Sequence, residues 1–337
     1  GYETAAFPSV PHVGEGFAWR GFDVLEAARG ELRAAAVTER FLEWLAARDD
    51  DRPFFAWLHY FDPHAPYDPP AEVAKEFYAG DPLQGEKRLA DEPFIMGSPG
   101  MEYLREWLGE RRDPEYPRAM YAAEVSYTDR QLGRVLGWMS AHGLDEKIAI
   151  VVVADHGESL GEHGIFYDHA GLYEQQLKVP LLVRVPGFPA GLRLDAPVGH
   201  EDLAPTIAEL FGLELRNDVE GLSLAALLRG EKSAAVARRK SLIHEHAQNL
   251  LVAMRSGPWK LILPVERRHF LPSSPVLFDL SADAGELRTL ADTHPQVVSE
   301  LRQGLESRLE LGVVGHTKRE PGDEEAVQRL RALGYVQ

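Results

Sequence analysis

The segment Lys147-Ile148-Ala149-Ile150-Val151-Val152-Val153-Ala154-Asp155-His156-Gly157-Glu158 decides the fold of this chain. Residues 148–154 form an unbroken, β-branched apolar run, the mark of a central parallel strand buried on both faces. In open α/β sheets, ligands sit beyond the carboxyl ends of the strands. Asp155 and His156 fall at that end, and Gly157 permits a sharp exit. A carboxylate supplies a hard oxygen and a neutral imidazole a nitrogen, so the pair reads as adjacent metal ligands. A plainer alternative is that Asp155 caps the next segment and His156 is a packed surface histidine. The pair alone leaves both open.

Working outward, Val37, Phe41, Trp44 and Leu45 recur at helical spacing, which predicts an amphipathic helix over 34–48. Residues 54–61 form an apolar-aromatic run fit for a buried strand, and it leads into a stiff loop with prolines at 63, 66, 69 and 70. Residues 71–118 are polar, with short helical pieces at 72–78 and 101–109, and read as an insertion over the substrate side. Val125, Leu132, Val135, Leu136 and Met139 mark a long helix that Gly143 stops. A second strand like the first spans 179–185. Leu203, Ile207, Leu210 and Phe211 give a helix closed by Gly212.

Alternation of strands and helices predicts a doubly wound α/β fold over residues 1–234, with a mostly parallel sheet and helices on both faces. The pattern then changes to a small C-terminal α+β subdomain over 235–337. Within it, residues 250–263 read as a hairpin through Arg255-Ser256-Gly257-Pro258, residues 275–280 as a third strand, and Val297, Leu301, Leu305 and Leu309 as a helix introduced by Pro295. Residues 313–325 are polar and read as loose.

Composition narrows the function. The chain has 337 residues, 45% of them hydrophobic and 26% charged, enough to bury a sizeable core. Its formal net charge of -17 repels phosphate backbones, which argues against nucleic acid as a partner. A small anion needs a local cation in such a protein, from a metal or positioned basic side chains. There are no cysteines, so disulfides, cysteine zinc sites and a cysteine nucleophile are excluded within these residues. No apolar run is long enough to span a bilayer. The sequence starts at Gly1-Tyr2 without an initiator methionine, and its compartment is not legible.

Other residues invite chemistry. His64 sits in its proline frame, where a rigid loop loses little entropy on engaging a ligand. His169 lies in Tyr167-Asp168-His169-Ala170-Gly171, and His163 stands among glycines as a ligand or a loop anchor. His59, inside a strand, reads as a satisfied core histidine. Gly157-Glu158-Ser159-Leu160-Gly161 fits the Gly-x-Ser-x-Gly nucleophile elbow, which offers a serine-esterase alternative through Ser159. That elbow needs a helix after the serine, and Gly161 and Gly164 interrupt the residues that would form it.

Taken together, these segments resemble the sulfatase family of the alkaline-phosphatase-like hydrolases. The resemblance runs through Phe54-Phe55, Pro63-His64-Ala65-Pro66-Tyr67, residues 121–136 with Asp129, residues 154–164, and Leu172-Tyr173-Glu174 before Val179-Pro180-Leu181. It continues through Asp202-Leu203-Ala204-Pro205-Thr206, Trp259-Lys260-Leu261-Ile262, Leu277-Phe278-Asp279-Leu280 and residues 330–336. It implies hydrolysis of a sulfate monoester of a small molecule or glycan, with a phosphonate or phosphate ester as the near alternative. It also implies that a hydrated formylglycine attacks sulfur near a divalent metal. Asp155 and His156 would ligate the metal, His64 would donate a proton to the leaving oxygen, and His169 stands near where the family often has a sulfate-binding lysine. Calcium is the family's usual ion, whereas the nitrogen of His156 favours manganese or another transition metal.

The family's Cys/Ser-x-Pro-x-Arg nucleophile motif and its N-terminal aspartate pair are not found here. Ser9-Val10-Pro11-His12-Val13 and Ser273-Ser274-Pro275-Val276-Leu277 have the proline but no arginine. The expectation is therefore an N-terminally truncated chain, inactive by itself, with a non-catalytic fragment as a further alternative.

Overall fold

The structure is a computed structural model that describes residues 1–11, 21–26, 28, 30–48, 52–98, 100–215, 219–237, 239, 242–246, 251–264 and 272–310. Its contacts divide the chain into two units, Gly1–Lys147 and Ile148–Gln337. The stretches 313–325 and 330–336 lie outside the described residues.

In the first unit, strands β1 (Glu3–Phe7), β2 (Val24–Leu25) and β3 (Phe54–Leu58) form a parallel sheet in the order β2-β1-β3. Helix α1 (Ala34–Ala47) connects β2 to β3, the helical crossover that parallel pairing requires. Its face of Ala34, Val37, Phe41 and Leu45 is buried, and the Phe41 ring meets Phe7 of β1 edge-on at 5.6 Å. β1 is central, so Ala5, Ala6 and Phe7 are buried. β3 lies at the edge of this three-stranded sheet, and the expectation of a buried strand is corrected there: Phe55 and Trp57 are exposed. His59, just beyond it and half-buried, has its Nδ1 2.8 Å from Ser9 Oγ, so it is a satisfied histidine at the margin of the core. Short helices α2 (Ala71–Phe77), α3 (Pro93–Gly97) and α4 (Glu102–Leu108) precede the long α5 (Glu115–Ala141), which ends before Gly143 at φ 66°. Ala123 and Tyr127 of α5 pack with Ala34 of α1 and Val73 of α2.

The second unit opens with β4 (Ile150–Val153), a hairpin of β5 (Ser159–Leu160) and β6 (Phe166–Asp168), the single turn α6 (Glu174–Leu177) and β7 (Leu181–Arg184). β4 and β7 pair antiparallel, Ile150 opposite Arg184 and Val153 opposite Leu181, which corrects the expectation of two parallel strands. The residues between them hold a hairpin and one helical turn instead of a crossover helix, so the chain returns along the strand it left. Val151 and Val153 are each 38% exposed, so β4 shows an alternating pattern instead of burial on both faces. A 3-10 turn at His200–Asp202 leads into α7 (Leu203–Phe211), which ends on Gly212 at φ 63°, a left-handed position suited to glycine. Asp202 is fully buried and accepts hydrogen bonds from both guanidinium NH groups of Arg239 and from the Leu222 backbone.

After α8 (Ala225–Leu228) and α9 (Ala234–Ala237) come four antiparallel strands, β8 (Leu242–His246), β9 (Leu251–Ser256), β10 (Trp259–Pro264) and β11 (Val276–Asp279), in the order β11-β10-β9-β8. Leu301 and Leu305 of α10 (Pro295–Glu310) pack on Val252, Met254, Leu261 and Leu277 of this sheet. Strand β8 has no counterpart in the sequence reading.

Lys260 of β10 is wholly buried, and its ammonium lies 3.0 Å from Glu174 Oε1 and 2.8 Å from Glu286 Oε1. Burial pushes the Glu174 carboxyl up, but the charge and hydrogen bond of Lys260, with the charges of Arg255 and His244, together hold it below the usual range. Burial dominates at Glu286, whose carboxyl is raised. Removing the cation would leave buried Glu286 without its partner and Glu174 with only Arg255, 3.7 Å away, so Lys260→Met is expected to lower unfolding stability by about 3–5 kcal/mol in denaturant titrations at neutral pH.

Candidate metal centre and the histidine loops

At the carboxyl end of β4 the chain must turn sharply, and Gly157 lets it. Its N–H donates to the Gln176 carbonyl at 2.7 Å, and a Cβ built at position 157 would lie 1.9 Å from the Gln175 carbonyl oxygen. No side chain fits in that contact. The turn leaves the Asp155 side chain 82% exposed, with Oδ1 accepting the His156 backbone N–H at 2.9 Å. His200 Nε2 donates to the Ala154 carbonyl at 2.8 Å and fixes the residue just before the turn.

The His156 ring is oriented by its own backbone. Nδ1 lies 2.9 Å from the Gly157 carbonyl oxygen. A carbonyl only accepts, so Nδ1 carries the proton and Nε2 holds the lone pair of the neutral ring. Nε2 lies 3.8 Å from Asp155 Oδ1. Two donors at that separation are within reach of one divalent ion, whose bonds to nitrogen and oxygen run at about 2.0–2.6 Å. An imidazole held by a carbonyl on its far nitrogen is the usual support for a metal-ligating histidine. The donor set therefore fits a cation.

His169 joins this pair. It comes directly after β6, and its ring stacks on His156 with centroids 3.8 Å apart and planes 22° apart. Asp168, which sequence reasoning passed over, is pushed up to about 6 by burial, against hydrogen bonds from the backbone of His169 and Ala170 and the charge of His156. The signal for Asp168 was weak because an acid beside a histidine is common in loops. His200 was missed because it approaches the turn only through the fold.

Two other histidine and serine readings resolve. His163 is a loop anchor: its ring stacks on Tyr173 at 3.7 Å with planes 4° apart, its φ is 55°, and burial lowers its pKa. Ser159 is corrected as a nucleophile. It is fully buried in a strand of the β5–β6 hairpin and its Oγ accepts a hydrogen bond from Gln176 Nε2, whereas an elbow serine stands exposed between a strand and a helix.

His64 belongs to the first unit. Its Nδ1 lies 2.6 Å from the Ala65 carbonyl oxygen and so donates to it, and its ring stacks on Phe61 at 4.3 Å. The peptide bonds preceding Pro63 and Pro66 are cis. Tyr67, two residues beyond Ala65, is buried edge-on against Trp107 and Tyr121 at 5.3 and 5.4 Å. The imidazole is thus carried on a loop pinned at its core side.

Comparison with known proteins places this geometry. Over 322 residues the chain is 27% identical to Arylsulfatase K of Mus musculus, covering 88% of this chain and 57% of that protein. It is 32% identical over 182 residues to the choline-sulfatase of Rhizobium meliloti, covering 52% of this chain and 33% of the other. The chain spans about half the length of the curated relatives it matches. The structure superposes on a protein solved with its substrate D-glucosamine-2-N,6-O-disulfate with a TM-score of 0.72 at 20% identity, covering 95% of this chain and 82% of that one. It superposes on the phosphonate monoester hydrolase of Silicibacter pomeroyi with a TM-score of 0.62 at 26% identity, covering 82% and 60%. These likenesses carry the α/β fold. Residues 161–311 match the family described as N-sulphoglucosamine sulphohydrolase, C-terminal. Residues 10–213, well over half of the 337, match the family described as Sulfatase, and the chain belongs to the sulfatase family.

Proposed function

We propose that this chain carries the metal-binding and leaving-group residues of a hydrolase of sulfate monoesters of small molecules or glycans. The observation that carries the reading is the His156 tautomer: the Gly157 carbonyl holds the proton on Nδ1 and presents the lone pair of Nε2 3.8 Å from Asp155 Oδ1. Asp155 and His156 would hold a divalent cation, whose chemistry is to neutralise charge on the ester oxygens. The nitrogen ligand favours manganese over calcium. His169, stacked on His156, is assigned to the anionic oxygens, which an imidazolium holds better than a neutral ring. His64 is assigned to the leaving oxygen. With Nδ1 bound to the Ala65 carbonyl, the imidazolium has its Nε2 proton to donate as the ester bond to sulfur breaks. Likeness to a phosphonate monoester hydrolase supports the phosphonate or phosphate ester as a second reading.

The nucleophile has no candidate among these residues, because Cys/Ser-x-Pro-x-Arg does not occur in them. The 337 residues by themselves are therefore expected to leave 4-nitrophenyl sulfate and 4-nitrophenyl phenylphosphonate unhydrolysed, since a nucleophile acts as a unit with its neighbours. Turnover of either ester by these residues alone would show that the nucleophile had been overlooked.

Calorimetric titration with MnCl2 and CaCl2 tests the metal assignment. Weak Mn2+ binding is expected, and Asp155→Asn and His156→Ala should each reduce it by about tenfold or more. Equal affinity in both variants and the parent would remove the assignment.

A further inference from the structure

The loop that carries His64 is fastened to α5 at both ends. The Asp68 N–H donates to Glu124 Oε1 at 2.7 Å, and Thr128 Oγ1 donates to the Asp62 carbonyl at 3.2 Å. Glu124 and Thr128 are one helical turn apart and share a face of α5, so this helix holds residues 62 and 68 together, beside Arg33, which donates to the Asp68 carbonyl and carboxylate. The same helix reaches α1 through Tyr127, whose hydroxyl accepts the Ala35 N–H at 3.2 Å. Asp62 Oδ2 in turn accepts the Ala34 N–H at 2.8 Å and so meets one of the unpaired amides at the start of α1. Glu124 is 4% exposed, which is unusual for a carboxyl. Its second oxygen, Oε2, is buried and makes no hydrogen bond among the described residues.

We infer that Glu124 is a positioning residue for His64, its carboxyl holding the Asp68 end of the loop while Thr128 holds the Asp62 end. This rests on the reading of His64 as the donor to the leaving oxygen. A proton donor works only when its nitrogen is held within hydrogen-bond reach of the departing atom, and a displacement of about 1 Å costs on the order of 10²-fold in rate. His64 makes its own backbone bond to the neighbouring Ala65, which moves with it, so that bond orients the ring within the loop without locating the loop. The bonds from α5 locate it, together with those from Arg33 and Ala34 and the buried Tyr67 ring.

Ionisation of Glu124 bears on the clamp. Burial pushes its carboxyl up to about 8; the Asp68 N–H and Arg33 pull it down, and Asp62 and Asp68 push it further up. At neutral pH the carboxyl is mostly protonated and still accepts from Asp68. A carboxyl raised above its unfolded value adds stability that is complete below the unfolded value and is lost as pH rises through about 8. Glutamine keeps the acceptor and cannot ionise, so Glu124→Gln retains the clamp and removes this pH dependence.

The test is NMR on the whole chain, reading the Asp68 amide exchange rate and the His64 ring nitrogen shifts from pH 6 to 9 in the parent, Glu124→Gln, Glu124→Ala and Thr128→Val. The parent is expected to lose Asp68 protection near pH 8, taken relative to the intrinsic exchange rate at each pH, and Glu124→Gln to keep it. Glu124→Ala should speed Asp68 exchange by about tenfold or more and move the His64 shifts. Thr128→Val should move the His64 shifts while leaving Asp68 protected, and it stands in for Glu124→Ala if that variant does not fold. Unchanged His64 shifts in both Glu124→Ala and Thr128→Val, or a pH 8 transition that persists in Glu124→Gln, would overturn the inference. The readout is independent of turnover, so a His64 that plays no part in hydrolysis would leave the NMR result intact and fail only in a His64→Ala rate assay.

Discussion

The arrangement around Asp155 and His156 depends on one close approach of backbone to backbone. Gly157 lies against the carbonyls of Gln175 and Gln176 with no room for a Cβ. Gln176 is almost fully buried and satisfies three partners at once. Its carbonyl accepts from Gly157, its Nε2 donates to Ser159 Oγ, and its Oε1 accepts the Tyr173 N–H at 3.0 Å. One helical turn, α6, therefore ties the Asp155–His156 turn to the hairpin that presents His169. The same turn begins with Glu174, whose carboxylate meets Lys260 of the C-terminal sheet. A buried polar network of this kind stiffens its members only when each group is satisfied.

Electrostatics in this acidic chain are managed locally. The excess of carboxylates would repel an anion, yet buried cations recur where loops are fixed: Lys260 against Glu174 and Glu286, and Arg239 against Asp202. Both hold the scaffold. In the second unit the imidazoles of His156 and His169 are stacked face to face at 3.8 Å.

Much of this was legible in the sequence. Helical spacing of Val37, Phe41 and Leu45 located α1 because burial of one face dictates period 3.6, and the left-handed Gly212 closed α7 where expected. Asp155 and His156 were legible because a β-branched run ends directly before them. Pairing direction was not. Residues 148–154 and 179–185 are apolar enough for either orientation, and the antiparallel outcome depends on a hairpin whose two-residue and three-residue strands are too short to carry a period. Strand β8 has only Leu242 and Ile243 before His244, Glu245 and His246, too short an apolar stretch to mark a strand. Ser159 illustrates the opposite failure: five residues matched a motif, while the surrounding fold buried the serine beneath Gln176.

Backbone packing at Gly157 is what sets the Asp155–His156 turn, the pair proposed to hold a cation. Mn2+ titration of Gly157→Ala, beside Gly133→Ala as a control where a Cβ meets nothing within 4 Å, tests this directly. Far-UV circular dichroism on both variants confirms that they are folded. Gly133→Ala is expected to bind as the parent does, and Gly157→Ala, though folded, to lose affinity by about tenfold or more as the Asp155–His156 turn is displaced. Parental Mn2+ affinity in folded Gly157→Ala would contradict this dependence.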